Sequence, residues 1–386
     1  MSSPKPAPRR ISSPLKRRYI IDGIPQQLTP EAMLFDCAGK EAPTMPLDAE
    51  PIADETLDIA PGTFPDDGTA PEDYLPTVLS ALDKPRRYPF TFPESYTCAR
   101  IASALLEVLF RGGHFRLDEL SADLEWSWNS EPMGNMASLY ASVAAACEYI
   151  DNLGITLRKW NYTEAETCSL TVRICAGTGT ETVLDEDLMT EEEVAAPGKF
   201  RLGRKRSCAG SLDGALASDW IAFIPFDSCQ PRLGGSVLAE AIGAPSATAP
   251  DIGDADYFID CFEVVRELVE DGIVKAGVPV GPGGLMAALS AMTVEDTGAE
   301  IDITGLRRSW EDTLPARVLY GEVPGVLVVI SDIDFDYLDA ELVLQDVAYF
   351  PLGHPTPGKA GVQVLHEGAG ISSILDSLLG ASEGED

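Results

Sequence analysis

Positive charge is scarce in this sequence: 28 Lys plus Arg stand against 62 Asp plus Glu, for a net charge of −34. A chain this acidic repels nucleic-acid phosphates and anionic membrane surfaces, which argues against nucleic-acid binding and membrane association as its main work. An acidic surface also serves plain solubility, so charge alone names no partner. Long apolar runs are missing as well. None reaches about 18 residues and no apolar core follows the first charges, which disfavours membrane spanning and secretion. The eight cysteines include no C-x-x-C pair, so neither a zinc site nor a disulfide framework is indicated. They are expected to be reduced, mostly buried small hydrophobes, and the Asn161-Tyr162-Thr163 sequon to carry no sugar. Cytoplasm, nucleus or the interior of a particle remain.

What the chain does have is length and apolar content: 386 residues at 45% hydrophobic suffice for two or three domains with substantial cores. Residues 1–84 stand apart. The first 85 residues hold 14 of the 29 prolines, and their charges separate into a basic head and an acidic stretch around Asp48 to Asp73. This segment is expected to be a largely irregular arm that builds no core of its own, with Glu31–Cys37 and Tyr74–Leu82 packing along the body. Residues 8–18 cluster basic residues beside the Ser13-Pro14 pair, as nuclear-import signals and proline-directed phosphorylation sites do.

Beyond the arm the patterns become regular. Ile101, Leu105, Val108 and Leu109 share one helical face, so Glu94–Arg111 reads as an amphipathic helix stopped by Gly112-Gly113. Met136, Leu139, Tyr140, Val143, Cys147 and Ile150 define a second helix, followed by strand-like sequence over Ile155–Cys175. The oppositely charged loops between Thr178 and Arg206 read as a connector. It separates an N-terminal lobe, 85–206, from a C-terminal lobe, 207–386. The second lobe opens with a strand over Asp219–Phe226, then the turn Leu233-Gly234-Gly235-Ser236 and a helix over Val237–Ile242. A long helix capped by Asp254 follows, then the loop Val278 to Gly284 running into an apolar helix. Strands at Glu300–Ile303 and Gly325–Ile330 complete it, the latter buried on both sides. The fold class is α+β, helices layered on sheets.

Six segments in order, ELSADLEWSW (119–128), LYASVAAACEYIDNLGITL (139–157), RLGGSVLAEAIG (232–243), FEVVRELVEDGIVKAGVPVGPGGLMAALSAM (262–292), AEIDITGL (299–306) and LYGEVPGVLVVI (319–330), resemble the second synthase half of large phosphoribosylformylglycinamidine synthase. That module belongs to the aminoimidazole ribonucleotide synthetase-like superfamily. The resemblance covers about residues 85–380, with an echo of the preceding linker in FDCAGKEAPTMP (35–46). It implies a two-lobed fold whose N-terminal sheets pair, with ATP and formylglycinamide ribonucleotide held in clefts between lobes. It also implies phosphates and magnesium bound by glycine-turn amides and nearby carboxylates.

The reactive positions have changed. Where the family carries Gly-Lys-Asp-Ser, this chain has Trp160-Asn161-Tyr162-Thr163, and the family's His-Asp-x-Ser-Asp-Gly-Gly has become Val278-Pro279-Val280-Gly281-Pro282-Gly283-Gly284. The family's Ala-Asn-Trp is Ala122-Asp123-Leu124, a carboxylate in place of an amide donor. Gly234, Gly235, Ser236, Gly283 and Gly284 survive, either for backbone geometry or as a residual anion site at helix starts. Cys208 and Cys229 lie in no nucleophile motif, and His114, His354 and His366 are far apart. No catalytic residue and no metal ligand is nominated. Read alone, the sequence also lacks the family's first synthase half and glutaminase domain. The expectation is a pseudo-enzyme with no cofactor that acts through protein partners, or through self-association of the N-terminal lobe's sheet. The resemblance extends to degenerate viral relatives, gammaherpesvirus tegument proteins among them, which implies a nuclear or virion-associated scaffold. The alternative is one component of purine biosynthesis that uses ATP, magnesium and glutamine-derived ammonia together with separate subunits.

Overall fold

The computed structural model describes residues 13–42, 50–57, 62, 64, 69–84, 92–111, 114–176, 206–244, 247–311 and 314–365. The basic head up to residue 12, the Gly112-Gly113 stop, the connector from 178 to 205 and His366 lie outside the described residues.

The arm's described part carries short regular elements, its two helices falling on the pieces expected to pack along the body. Its described part holds β1 (Tyr19–Ile21), β2 (Ile24–Pro25), α1 (Pro30–Cys37), β3 (Ile52–Asp54) and α2 (Leu75–Leu82), with β1 paired antiparallel to β2 and parallel to β3. One proline starts a helix: Pro30 occupies the first turn of α1, behind Thr29, whose hydroxyl accepts from Ala32 N at 3.1 Å. The arm does lack a separate core. Tyr19, Leu34 and Val78 are fully buried within the same apolar cluster as the body.

The next unit is built on α3 (Pro93–Leu109), β4 (Leu120–Trp128), α4 (Asn135–Asn152), β5 (Thr156–Glu164) and β6 (Ser169–Ala176). Both helices lie within a residue or two of their expected positions. Strict alternation in β4 turns Leu120, Ala122, Leu124, Trp126 and Trp128 to the core. β4 is central, parallel to β5 and antiparallel to β6. The two buried indoles donate to Ser142 Oγ at 3.0 Å and Asn135 O at 2.7 Å, which accounts for a serine with no exposed surface inside α4.

The arm completes this unit. Helix α4 starts at Gly134, which offers no side-chain cap, and the start is capped from β3. The Asp54 carboxylate accepts from Gly134 N, Met136 N and Ala137 N at 2.8, 2.8 and 3.1 Å.

The larger sheet uses β7 (Trp220–Pro225), α5 (Val237–Ala241), α6 (Ala255–Glu270), β8 (Val274–Val280), α7 (Gly284–Met292), β9 (Thr297–Asp302), α8 (Thr304–Ser309), α9 (Pro315–Tyr320), β10 (Gly325–Ile330), α10 (Phe335–Leu344), β11 (Phe350–Pro357) and β12 (Val362–Leu365). Its six strands run β12-β9-β11-β7-β10-β8, antiparallel except for β12 on β9. β10 is flanked by β7 and β8 and buried along its whole length, as its continuous apolar run requires. Asp254 caps α6 through Tyr257 N at 3.3 Å. The class is α+β, as read from the sequence. Helix α3 touches both units, packing on β6 as well as on β8 and β10. No helix among the described residues is long and apolar enough to cross a membrane.

Because Leu34 is fully buried in the shared core, Leu34→Ala should lower unfolding stability by about 2–5 kcal/mol in urea titration. A loss below about 0.5 kcal/mol, the size expected of surface changes, would show the arm to be a detachable appendage.

Candidate functional site

The two surviving glycine turns meet at one carboxylate. Glu322, in the turn between α9 and β10, has φ +52° and directs Oε1 to Val237 N at 2.7 Å and Gly283 N at 2.9 Å. Val237 opens α5 and Gly283 precedes α7, so a single internal oxygen holds the helix-start donors an external anion would need. Ser236 is equally engaged, its hydroxyl accepting from Ala239 N at 3.2 Å. Beside the first turn, a cavity of about 20 Å³ lined by Gly234, Gly235, Ser236 and Glu322 has room for about one water.

Both turns have backbone reasons to retain glycine. A Cβ on Gly234 would lie 2.0 Å from Ala247 O. Gly284 has φ +67°, and a Cβ there would lie 2.6 Å from Leu319 O. Gly283 is covered by the arm: a Cβ would sit 3.0 Å from Val78 and 3.1 Å from Leu82, both on α2. Tyr320, two residues before Glu322, ties the arm down again by donating its hydroxyl to Pro71 O at 2.7 Å.

The other altered positions carry structural partners. Trp160 stacks edge-on with Phe35 of α1 at 4.9 Å, and Lys40 Nζ lies 5.4 Å from its ring centroid. Tyr162 donates to Glu164 at 2.7 Å. Trp160-Asn161-Tyr162-Thr163 is therefore strand β5 under the arm, and not a loop open to phosphate. Asp123 receives two hydrogen bonds from Arg158, at 2.8 and 2.6 Å, and this pairing raises the guanidinium's pKa. Val278 and Val280 belong to β8, paired with β10.

No nucleophile emerges from the described thiols. All eight cysteines are free and five are buried, as expected. Burial pushes the Cys208 and Cys229 thiols up, away from thiolate character. His354 Nδ1 lies 2.9 Å from Asp219 O with its ring 4.1 Å from Trp220, while His114 sits at φ +47° with Nδ1 buried and unpartnered. Among the described residues no group of three His, Cys, Asp or Glu could hold a metal ion. At the turns, the Val237 and Gly283 amides already serve Glu322.

Sequence reasoning missed the more open feature, a cleft of about 920 Å³ between α2, α3, β6 and α5. It is lined by Lys84, Tyr96, Arg100, Ser169 to Thr171, Glu240 and Pro282, among others. The arm supplies one wall, so no motif in the body could have marked it.

The fold and its sites define an α+β protein whose glycine turns are closed by its own acid. In sequence, the chain is 24% identical over 241 residues to an Arabidopsis thaliana chloroplastic/mitochondrial protein named as a probable phosphoribosylformylglycinamidine synthase, covering 62% of this chain and 16% of that one. It is 23% identical over 297 residues to the Drosophila melanogaster phosphoribosylformylglycinamidine synthase, covering 73% and 20%. These matches establish homology to phosphoribosylformylglycinamidine synthase, of whose length the chain spans about a fifth or less. Its backbone is similar to that of Thermotoga maritima PurL complexed with FGAR, with a TM-score of 0.49 and 12% identity over 71% of this chain and 41% of that one. No protein-family model matches.

Gly284→Val, forcing a branched side chain against Leu319 O at positive φ, should lower the melting temperature by several degrees, an effect measured by calorimetry. A variant that melts like the native chain but has lost a measurable nucleotide affinity would overturn the structural role of that turn. Glu322→Ala removes charged acceptors from two helix starts and should cost about 1.5–3 kcal/mol in urea unfolding. A neutral result would show that water replaces the carboxylate without loss.

Proposed function

We propose that this chain is a catalytically degenerate relative of phosphoribosylformylglycinamidine synthase that acts through contacts with other proteins. The observation that carries the reading is the Glu322 carboxylate, which takes the amides of both glycine turns. A triphosphate seated on these turns would have to displace a covalently tethered anion, and the arm's α2 would have to leave Gly283. Trp160–Thr163 adds support, since it lies within strand β5 and Trp160 packs against Phe35 of α1. The basic, Ser-Pro-containing sequence at residues 8–18 suits a nuclear or particle-associated scaffold of the tegument kind.

The competing reading is a component of purine biosynthesis that handles ATP and magnesium. Calorimetric titration of the full chain with Mg-ATP separates the two: the scaffold reading expects no magnesium-dependent heat. Tight binding that vanishes with chelator would overturn it.

A further inference from the structure

The cleft offers what the glycine turns do not, an open surface with cationic side chains on its walls. Three consecutive residues of β6, Ser169, Leu170 and Thr171, line it. Successive side chains of a strand point to opposite faces, so a surface reached by all three meets the strand's edge. Among the described residues β6 pairs only with β4, and its far edge presents backbone N–H and C=O groups toward the cleft. Among the described residues two cations line the same space, Lys84 and Arg100, with one carboxylate, Glu240. Arg100 is a half-buried residue of α3, and a guanidinium on the wall of a cleft can donate to a carboxylate in charge-assisted hydrogen bonds. The outward face of the same sheet differs, since there Asp123 pairs with Arg158 and Glu125 with Arg173.

We propose that this cleft docks an extended, acidic segment of a partner protein, which adds as a strand to the free edge of β6 while its carboxylates meet Arg100 and Lys84. The proposal names the partner chemistry for the scaffold reading above and rests on it. Backbone pairing supplies affinity in such strand addition, and the two cations select for acid. The volume, about 920 Å³, falls within the usual range for ligand sites, roughly 300–1,000 Å³. Wall and edge come from different parts of the chain, α2 from the arm and β6 from the body, so the groove exists only while the arm is docked.

The test is fluorescence anisotropy on the full chain with a labelled short peptide of alternating Glu and Val, beside a twin N-methylated at alternate residues to block strand pairing. Saturable binding is expected, weakened by about tenfold or more by N-methylation and by Arg100→Glu. Lys84→Glu serves if the arginine variant fails to fold. Absence of saturation, or equal binding of the twin peptide, overturns strand docking. Displacement of the peptide by Mg-ATP would make the cleft a nucleotide site and sink the scaffold reading as well. If neither peptide nor Mg-ATP binds, the docking proposal alone fails.

Discussion

A carboxylate oxygen shared between two backbone amides fixes the relation of every element around the glycine turns. Glu322 reaches Val237 N and Gly283 N from a backbone held at positive φ, and by joining the starts of α5 and α7 it sets those helices against each other and against β10. Helix starts carry unsatisfied donors and partial positive charge, so something anionic or polar must meet them. In an enzyme that cradles phosphate, the ligand can do so. Here the chain brings its own acceptor.

That constraint also explains the arm. Closure of the turns leaves Gly283 with an apolar outer surface, and α2 covers it through Val78 and Leu82 while Pro71 accepts from Tyr320. At its other end the arm presents Asp54 to three amides at the start of α4. The arm thus serves two helix starts, one by a direct carboxylate and one by covering a turn that a different carboxylate has closed. Detaching it would expose Leu34 and Val78, which it buries against the body, and leave α4 without its cap.

Much of the body was legible in the sequence because its signals are local. Helical spacing in α3 and α4, the Asp254 cap and the continuous apolar run of β10 each specify their element with little outside help, whereas the strand β4 was not read although its residues alternate. The strand expected over Glu300–Ile303 sits at Thr297–Asp302, because pairing with β11 sets where it starts. In the arm, helix type was not read for the pieces expected to pack along the body. Proline counts as a breaker when tallied by composition, whereas at Pro30 and Pro76 it lies in the first turn of a helix, where its missing N–H costs nothing. For the site, the side chains present at Trp160–Thr163 and Val278–Val280 could be read residue by residue. What could not be read was that Glu322 and the two turns converge, since the contacts span 85 and 39 residues and depend on tertiary packing. The Lys84 and Arg100 cleft was hidden likewise, being formed by the arm against the body.

The acidic balance of the chain takes on a different meaning in this light. Several carboxylates are internal acceptors: Asp54 at α4, Glu322 at α5 and α7, Asp254 at α6, and Asp227, which receives hydrogen bonds from Cys229 N, Gly253 N and Asp254 N. Burial raises the pKa of Asp227 while those three amides pull it back, so its charge is tolerated because backbone donors surround it. Each such contact at a helix start contributes about 0.3–1 kcal/mol when exposed and more when water is excluded. Cations facing a cleft are set against this background of carboxylates that already have donors. In a chain whose net charge is −34, Arg100 and Lys84 are the cations of the described cleft lining, and the proposed acidic segment would meet them there, beside Glu240.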